Sequence, residues 1–281
     1  MSQGGVATGS VVPVEARAGA PSRWRLRVES SLAGVFLLAL LLAWQAAVWA
    51  WGVPRWLLPS PLDIVTTLVT DRELVAIHVG RTVQETLIGF AIAFLLGVSL
   101  AFVMDAWPTA RRALYPPLIA SQTIPIIAIA PLLVIWFGYD LAPKIAVVAL
   151  ICFFPIVVST VDGLSRVDPD YANLIRAMGG SEGDVFRRVR LPGALPAIFS
   201  GAKIAVTYSV IGAVVGEWVG ASRGIGIYMV RAADQMLTER VFAAIMLSSL
   251  LSITLFLIVS WIEHLALPWR RSSTRRQPAR R

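Results

Sequence analysis

Six stretches of this chain are apolar over close to the length a bilayer crossing demands, and that repetition limits the fold more than any other feature. They fall at 33–51, 87–104, 114–137, 145–161, 195–215 and 241–265, against the roughly 20 mostly apolar residues that a membrane-spanning helix needs. In lipid a backbone must satisfy its own hydrogen bonds, which a helix does within one segment. The reading is an all-α, polytopic membrane protein of six transmembrane helices, with a mean hydropathy of +0.71. Three regions follow: an N-terminal arm at 1–30, polar and expected to be disordered; a membrane domain at 31–267; and a basic tail at 268–281. The first apolar run follows the long arm without a clear small-residue cleavage site, so it reads as an anchor, not a removed signal.

Arginine and lysine set the orientation, because cytoplasmic loops are enriched in them. With both termini cytoplasmic, seventeen basic residues lie inside, in the arm, at Arg111 and Arg112, in the 166–192 loop and in the tail. Seven lie outside, among them Arg55, Lys144 and Arg223. Lys203 sits within a span, where two readings stand: it snorkels to the cytoplasmic face, which is favoured, or it contacts substrate. The net charge of +8 is explained by this asymmetry and requires no nucleic-acid partner. One cysteine, Cys152, excludes an intrachain disulfide, and two histidines leave too few ligands for a Cys/His metal cluster. No metal or cofactor is expected.

Between the fourth and fifth runs lies the stretch RVDPDYANLIRAMGGSEGDVFRRVRLP, with five arginines and four acidic residues. It cannot sit in lipid and must project as a folded element. Asp168 is placed to cap a first short helix, Pro169 fits its first turn, and Gly179-Gly180 ends it. Ser181 and Asp184 reopen a helix that runs to Pro192. A helical knob on the cytoplasmic side suits docking onto a motor or regulator.

The third run, LYPPLIASQTIPIIAIAPLLVIWF, is interrupted by Pro116, Pro117, Pro125 and Pro131 and by Ser121-Gln122-Thr123. Each proline frees a carbonyl, which is tolerable at membrane depth against protein or a water-filled path. Two readings stay open: a broken helix lining a route, with Gln122, Thr123 and Pro125 on it, or a structural kink. Trp136 at the end of that run, and Phe153, Phe154 and Tyr208 in the next two spans, offer stacking faces for a solute, or simple core. A short amphipathic helix at 62–69 is expected at the outer interface, and a Gly-rich loop, ASRGIGIYMV, before the last span. No phosphate-binding G-x-x-x-x-G-K-[ST] motif, HExxH or G-x-S-x-G occurs, so any energy from ATP would have to enter through another polypeptide. The chain is not expected to be an enzyme.

The charged stretch resembles the cytoplasmic motif of ATP-binding-cassette (ABC) importer permeases: E-A-A, three residues, Gly, nine residues, an aliphatic residue, any residue, then Leu-Pro. Gly179 is followed at that spacing by Val189, Leu191 and Pro192, whereas Asn173, Leu174 and Ile175 stand at the E-A-A positions. Over 58–267 the chain looks like the nitrate, sulfonate, taurine and bicarbonate permease family, through LLPSPLDIV, SQTIPIIAIAPLLVIWFG and GEWVGA. ICFFPIVVSTVDGL and TYSVIGAVVGEWVGA are similar to the branch assigned to thiamine-pyrimidine precursors and riboflavin.

That resemblance implies a type I ABC importer permease fold in a bacterial inner membrane. It implies a homodimer around one path, in contact with membrane lipid, with two cytoplasmic ATP-binding subunits and an extracytoplasmic solute-binding protein. The coupling residues would be Arg176, Met178, Gly179, Asp184, Phe186, Leu191 and Pro192. Gly179 would supply a bend, and Met178 and Phe186 would fill a groove on the ATPase or pack against the protein's own helices. A vitamin-related heterocycle is the expected solute, with sulfonate, taurine or nitrate as the alternative. An ion-coupled secondary transporter is the rival from another class, but Glu85, Asp162 and Glu217 fall near span ends, away from midplane.

Overall fold

The computed structural model describes residues 23–269. Most of the N-terminal arm and nearly all of the basic tail, with the expectations placed on them, lie outside the described residues. The chain separates into two compact units, Met1–Trp51 and Gly52–Arg281. In the first, α1 (Arg23–Ala50) contains the first expected span.

The second unit comprises α2 (Pro61–Thr70), α3 (Arg72–Ala106), α4 (Pro108–Ser121), α5 (Ile126–Phe137), α6 (Leu141–Ser165), α7 (Pro169–Ala177), α8 (Glu182–Val185), α9 (Leu191–Trp218), α10 (Ile225–Asp234) and α11 (Thr238–Ala266). A π-helical turn, Phe186–Arg190, joins α8 to α9. No strand occurs among the described residues. Among the described residues four helices, namely α3, α6, α11 and the run Glu182–Trp218, are long and apolar enough to cross a membrane. The pair α4 and α5, bent by 99°, makes up to a fifth, and the apolar part of α1, Gly34–Ala50, is shorter.

Local chemistry explains most boundaries. α2 opens with Pro61 in its first turn and a reciprocal cap: Asp63 N–H donates to Ser60 Oγ at 3.2 Å, and Ser60 N–H donates to Asp63 Oδ2 at 3.1 Å. Burial raises the Asp63 carboxyl pKa, but the Ser60 bonds and the Arg55 guanidinium outweigh it and hold it below its ordinary value. The third apolar run breaks at 122–125, as its prolines suggested. Ser121 and Thr123 hydroxyls donate back to the carbonyls of Leu118 and Ala120 at 2.7 and 2.8 Å, and Pro125, extended at ψ 120°, starts α5. Pro116, Pro117 and Pro131 sit inside helices without breaking them.

α6 is the centre of the unit, packed along α3 on one side and α9 on the other. Lipid tails are as apolar as valine, so close approach of small residues, more than burial, holds helices together in a bilayer. Gly89 and Gly97 of α3 provide it: a Cβ there would stand 2.6 Å from Val148 Cβ and 2.9 Å from Ile156 Cγ2. Gly201 of α9 does the same against Ser159. Ala93, Val148, Cys152, Ile156, Ala205 and Ala213 form the resulting core.

Three expectations change. α3 begins fifteen residues before the apolar run at 87, because Thr82, Glu85 and Thr86 are buried in protein instead of exposed to lipid. The helix reopened at Ser181 does not stop at Pro192 but continues to Trp218. The Gly-rich segment before the last span folds as α10.

Candidate functional site

The knob is built by its own sequence. Asp168 accepts the Asp170 N–H at 2.9 Å, Pro169 occupies the first turn of α7, and Gly179 turns the chain with φ +85°. Ser181 and Asp184 form a second capping box for α8. Arg176 joins the two helices, donating to Glu182 at 2.6 and 3.1 Å and to Asn173 Oδ1 at 3.0 Å. The Glu182 carboxylate raises the Arg176 pKa above its ordinary value.

Arg176 and Asp184 thus shape the loop, and Met178, 76% exposed, is its apolar tip. Phe186 is turned inward, with its ring edge-on to Phe102 of α3 at 5.2 Å. Leu191 packs beside it, and Pro192 lies in the first turn of α9. Of the two readings for Phe186, the structure shows packing on the protein's own helices. Tyr171 and Leu174 are also exposed and share a helix face with Met178. Their spacing of three and seven residues was the available signal. Arg190 reaches Asp105 of α3 at 2.9 Å, a pairing across 85 residues that no local pattern announces.

Five of the six path candidates meet around one cavity of about 660 Å³. Gln122 and Pro125 come from the break, Phe153 and Phe154 from α6, and Tyr208 from α9. Thr123 is the exception: its hydroxyl is spent on the Ala120 carbonyl, and it stands outside the lining. No charged side chain lines the chamber among the described residues. The wall is aromatic and aliphatic, with the Gln122 amide and the Ser121 hydroxyl, a surface suited to a flat, uncharged ring.

A second cavity, about 560 Å³, opens in the same α6–α9 groove toward the knob. Asp162, Arg166, Lys203 and Glu263 line it. The Lys203 ammonium meets the Glu263 carboxylate, in the last turn of α11, at 2.7 Å.

At the opposite end of α9 lies a buried polar cluster that sequence reasoning missed. The first amides of α10 are capped from other helices: Gly224 N–H donates to His78 Nδ1 at 2.9 Å, Ile225 N–H to Thr82 Oγ1 at 2.8 Å, and Gly226 N–H to Glu217 Oε2. The Thr82 hydroxyl donates onward to Glu217 Oε1. These bonds answer the unpaired donors of a helix N-terminus. Lys144, expected in an outer loop, is 1% exposed in the first turn of α6, and donates to the Tyr139 and Gly220 carbonyls at 2.9 and 3.3 Å. Glu85 pairs with Arg81 at 3.1 Å, and Arg81 also holds the Asp140 carboxyl below its ordinary pKa. Glu85 and Glu217 are both buried.

Comparisons with known proteins bear on the family and the fold. Residues 74–266 match the family described as "Binding-protein-dependent transport system inner membrane component". The formylaminopyrimidine transport permease protein ThiX of Halalkalibacterium halodurans is 41% identical over 238 residues, covering 84% of this chain and 95% of that protein. The riboflavin transport system permease protein RibX of Chloroflexus aurantiacus is 34% identical over 245 residues, covering 85% and 90%. In structure, a chain of the MetNI methionine ABC transporter in inward-facing form superposes with a TM-score of 0.57 at 19% identity, covering 69% of this chain and 98% of that one. This chain belongs to the binding-protein-dependent transport system inner-membrane components, and it is an ABC importer permease.

Proposed function

We propose that this permease carries an uncharged planar heterocycle, of the pyrimidine or isoalloxazine kind, inward across a bacterial cell membrane. The observation that carries the reading is the chamber beside the broken helix, aromatic on two sides and free of lining charge among the described residues. A sulfonate or nitrate held there would lack a compensating cation, and an unpaired charge in such a site is costly. The names of the two relatives point to ring-containing solutes.

In this reading the knob faces the cytoplasm, in line with the surplus of arginine on that side, and α1 supplies the first of six spans. ATP-binding subunits dock on Met178 and its neighbours, and a solute-binding protein delivers at the α2–α10 end. Gln122, Pro125 and Ile124 are exposed on the open side of the chamber, where a second copy of the chain would supply the facing wall.

The test is uptake by proteoliposomes holding the permease, its ATPase and its binding protein. Labelled riboflavin or formylaminopyrimidine should enter, and taurine should not. Gln122→Cys, in a Cys152→Ser background, should react with a small polar thiol reagent at a rate that changes when ATP is trapped. Taurine uptake without heterocycle uptake would overturn the solute assignment. A Gln122→Cys thiol silent in every nucleotide state would remove the chamber from the path.

A further inference from the structure

The aromatic chamber and the charged cavity occupy successive stretches of one groove. On α6 the lining passes from Phe154 and Pro155 to Ser159, Asp162 and Arg166; on α9 it passes from Tyr208 and Ile204 to Lys203, Ser200 and Ala197. Within about two helical turns the wall changes from aromatic to ionic. Gly163 and Ala197 let the two helices approach closely beside it: a Cβ on Gly163 would stand 2.6 Å from that of Ala197.

The charges balance, with Arg166 and Lys203 against Asp162 and Glu263. Charged side chains within spans are costly and are kept where they pair or line a water-filled route. Here Lys203 and Glu263 are paired, and all four charges line the cavity. Lys203, the lysine of α9, is paired at 2.7 Å, and its partner comes from a third helix, α11. Left alone, Lys203 would present a cation to any solute leaving the chamber.

We propose that this cavity is the release vestibule of the path, and that Glu263, by neutralising Lys203, sets its charge selectivity. A vestibule of zero net charge gives an uncharged solute hydrogen-bonding partners in Ser159 and Ser200 and gives an anion no net attraction. The inference rests on the reading of the α6–α9 groove as the path, and it assigns Lys203 and Glu263 a selectivity role that a purely structural staple between α9 and α11 would not have.

The test uses Ser200→Cys in the Cys152→Ser background, in the assembled transporter in inside-out vesicles. Two methanethiosulfonate reagents are compared, one bearing a sulfonate and one a trimethylammonium, each rate normalised to that with a free thiol in solution. With the pair intact, the thiol should react with both at a ratio near unity. Glu263→Gln should raise the anionic-to-cationic ratio about fivefold or more, and Lys203→Gln should lower it by a similar factor, as one unit charge at contact distance implies. The exchanged pair, Lys203→Glu with Glu263→Lys, should restore the original ratio.

A thiol unreactive from this side, an intact-pair ratio already fivefold in favour of the anion, or single variants that leave the ratio unmoved would each overturn the proposal. The intact-pair measurement needs no charge substitution, so it decides even where a single variant fails to assemble. Because Gln122→Cys probes the chamber independently, the vestibule can fail while the proposed path stands.

Discussion

Replacing Glu217 by alanine removes the acceptor on which the start of α10 depends. In the structure its two oxygens take the Thr82 hydroxyl and the Gly226 amide, and Thr82 in turn accepts the Ile225 amide at 2.8 Å. All of these groups are buried, so water does not replace the lost acceptor freely. Each buried donor left unpaired costs about 1–3 kcal/mol. Thr82 can recover part of its share from the His78 carbonyl, 3.3 Å away, but the Gly226 amide has no such alternative. The net loss is about 2–4 kcal/mol, confined to the α3–α9–α10 junction, which corresponds to about 30- to 1,000-fold in the opening equilibrium. Hydrogen–deuterium exchange on the purified transporter reads this directly. A peptide covering 222–231 should lose protection by that factor, while peptides from the centre of α6 stay protected. Glu217→Gln, which keeps one acceptor oxygen, should fall between. Unchanged exchange at α10 would refute the capping argument, and an equal loss along α6 would show that Glu217 supports the whole bundle instead.

Gly179→Val places a β-branched residue at φ +85°, at about 1–2 kcal/mol, and should leave membrane insertion intact while abolishing stimulation of ATP hydrolysis by loaded binding protein in the reconstituted complex. Arg190→Glu should set two carboxylates together at the root of the knob and weaken the same stimulation, with Asp105→Arg restoring it. That pair is partly exposed, so its direct contribution to stability should be no more than about 1 kcal/mol, and a large change in melting temperature would contradict its role as a link.

Elements specified by neighbours in sequence were legible before the structure. The α7–α8 knob follows from Asp168, Pro169, Gly179 and the Ser181–Asp184 box, all acting within three or four residues. The break at Pro125 follows for the same reason. The run through Pro192 did not, because a proline ordinarily marks a helix boundary. Here Leu191 N–H donates to the Phe186 carbonyl five residues back, and Pro192, with no N–H to lose, enters the next turn without penalty. The chamber was legible as aromatic side chains plus a break, but Thr123 was misplaced, since a hydroxyl can turn back to its own helix as readily as face a path. The fate of Lys203 was hidden because its partner lies 60 residues away, and those of Lys144 and Glu217 were only half visible, since beside the nearby Tyr139 and Gly226 each has a partner 76 or 135 residues away. No window along the chain can reveal such pairs; packing creates them.

The helix from Glu182 to Trp218 runs 37 residues, with a π-helical turn at Phe186–Arg190 near its start, about 55 Å at the usual rise. It begins within the knob, beside the Arg176–Glu182 bond, and ends with Glu217 gripping the first turn of α10. In the proposed coupling, a push at the knob would travel along this helix and arrive at the far end as a tilt or turn of the shaft. The two faces of the membrane would then be geared together by one covalent piece, and the timing of outer and inner opening would be set by leverage instead of by a chain of separate messages.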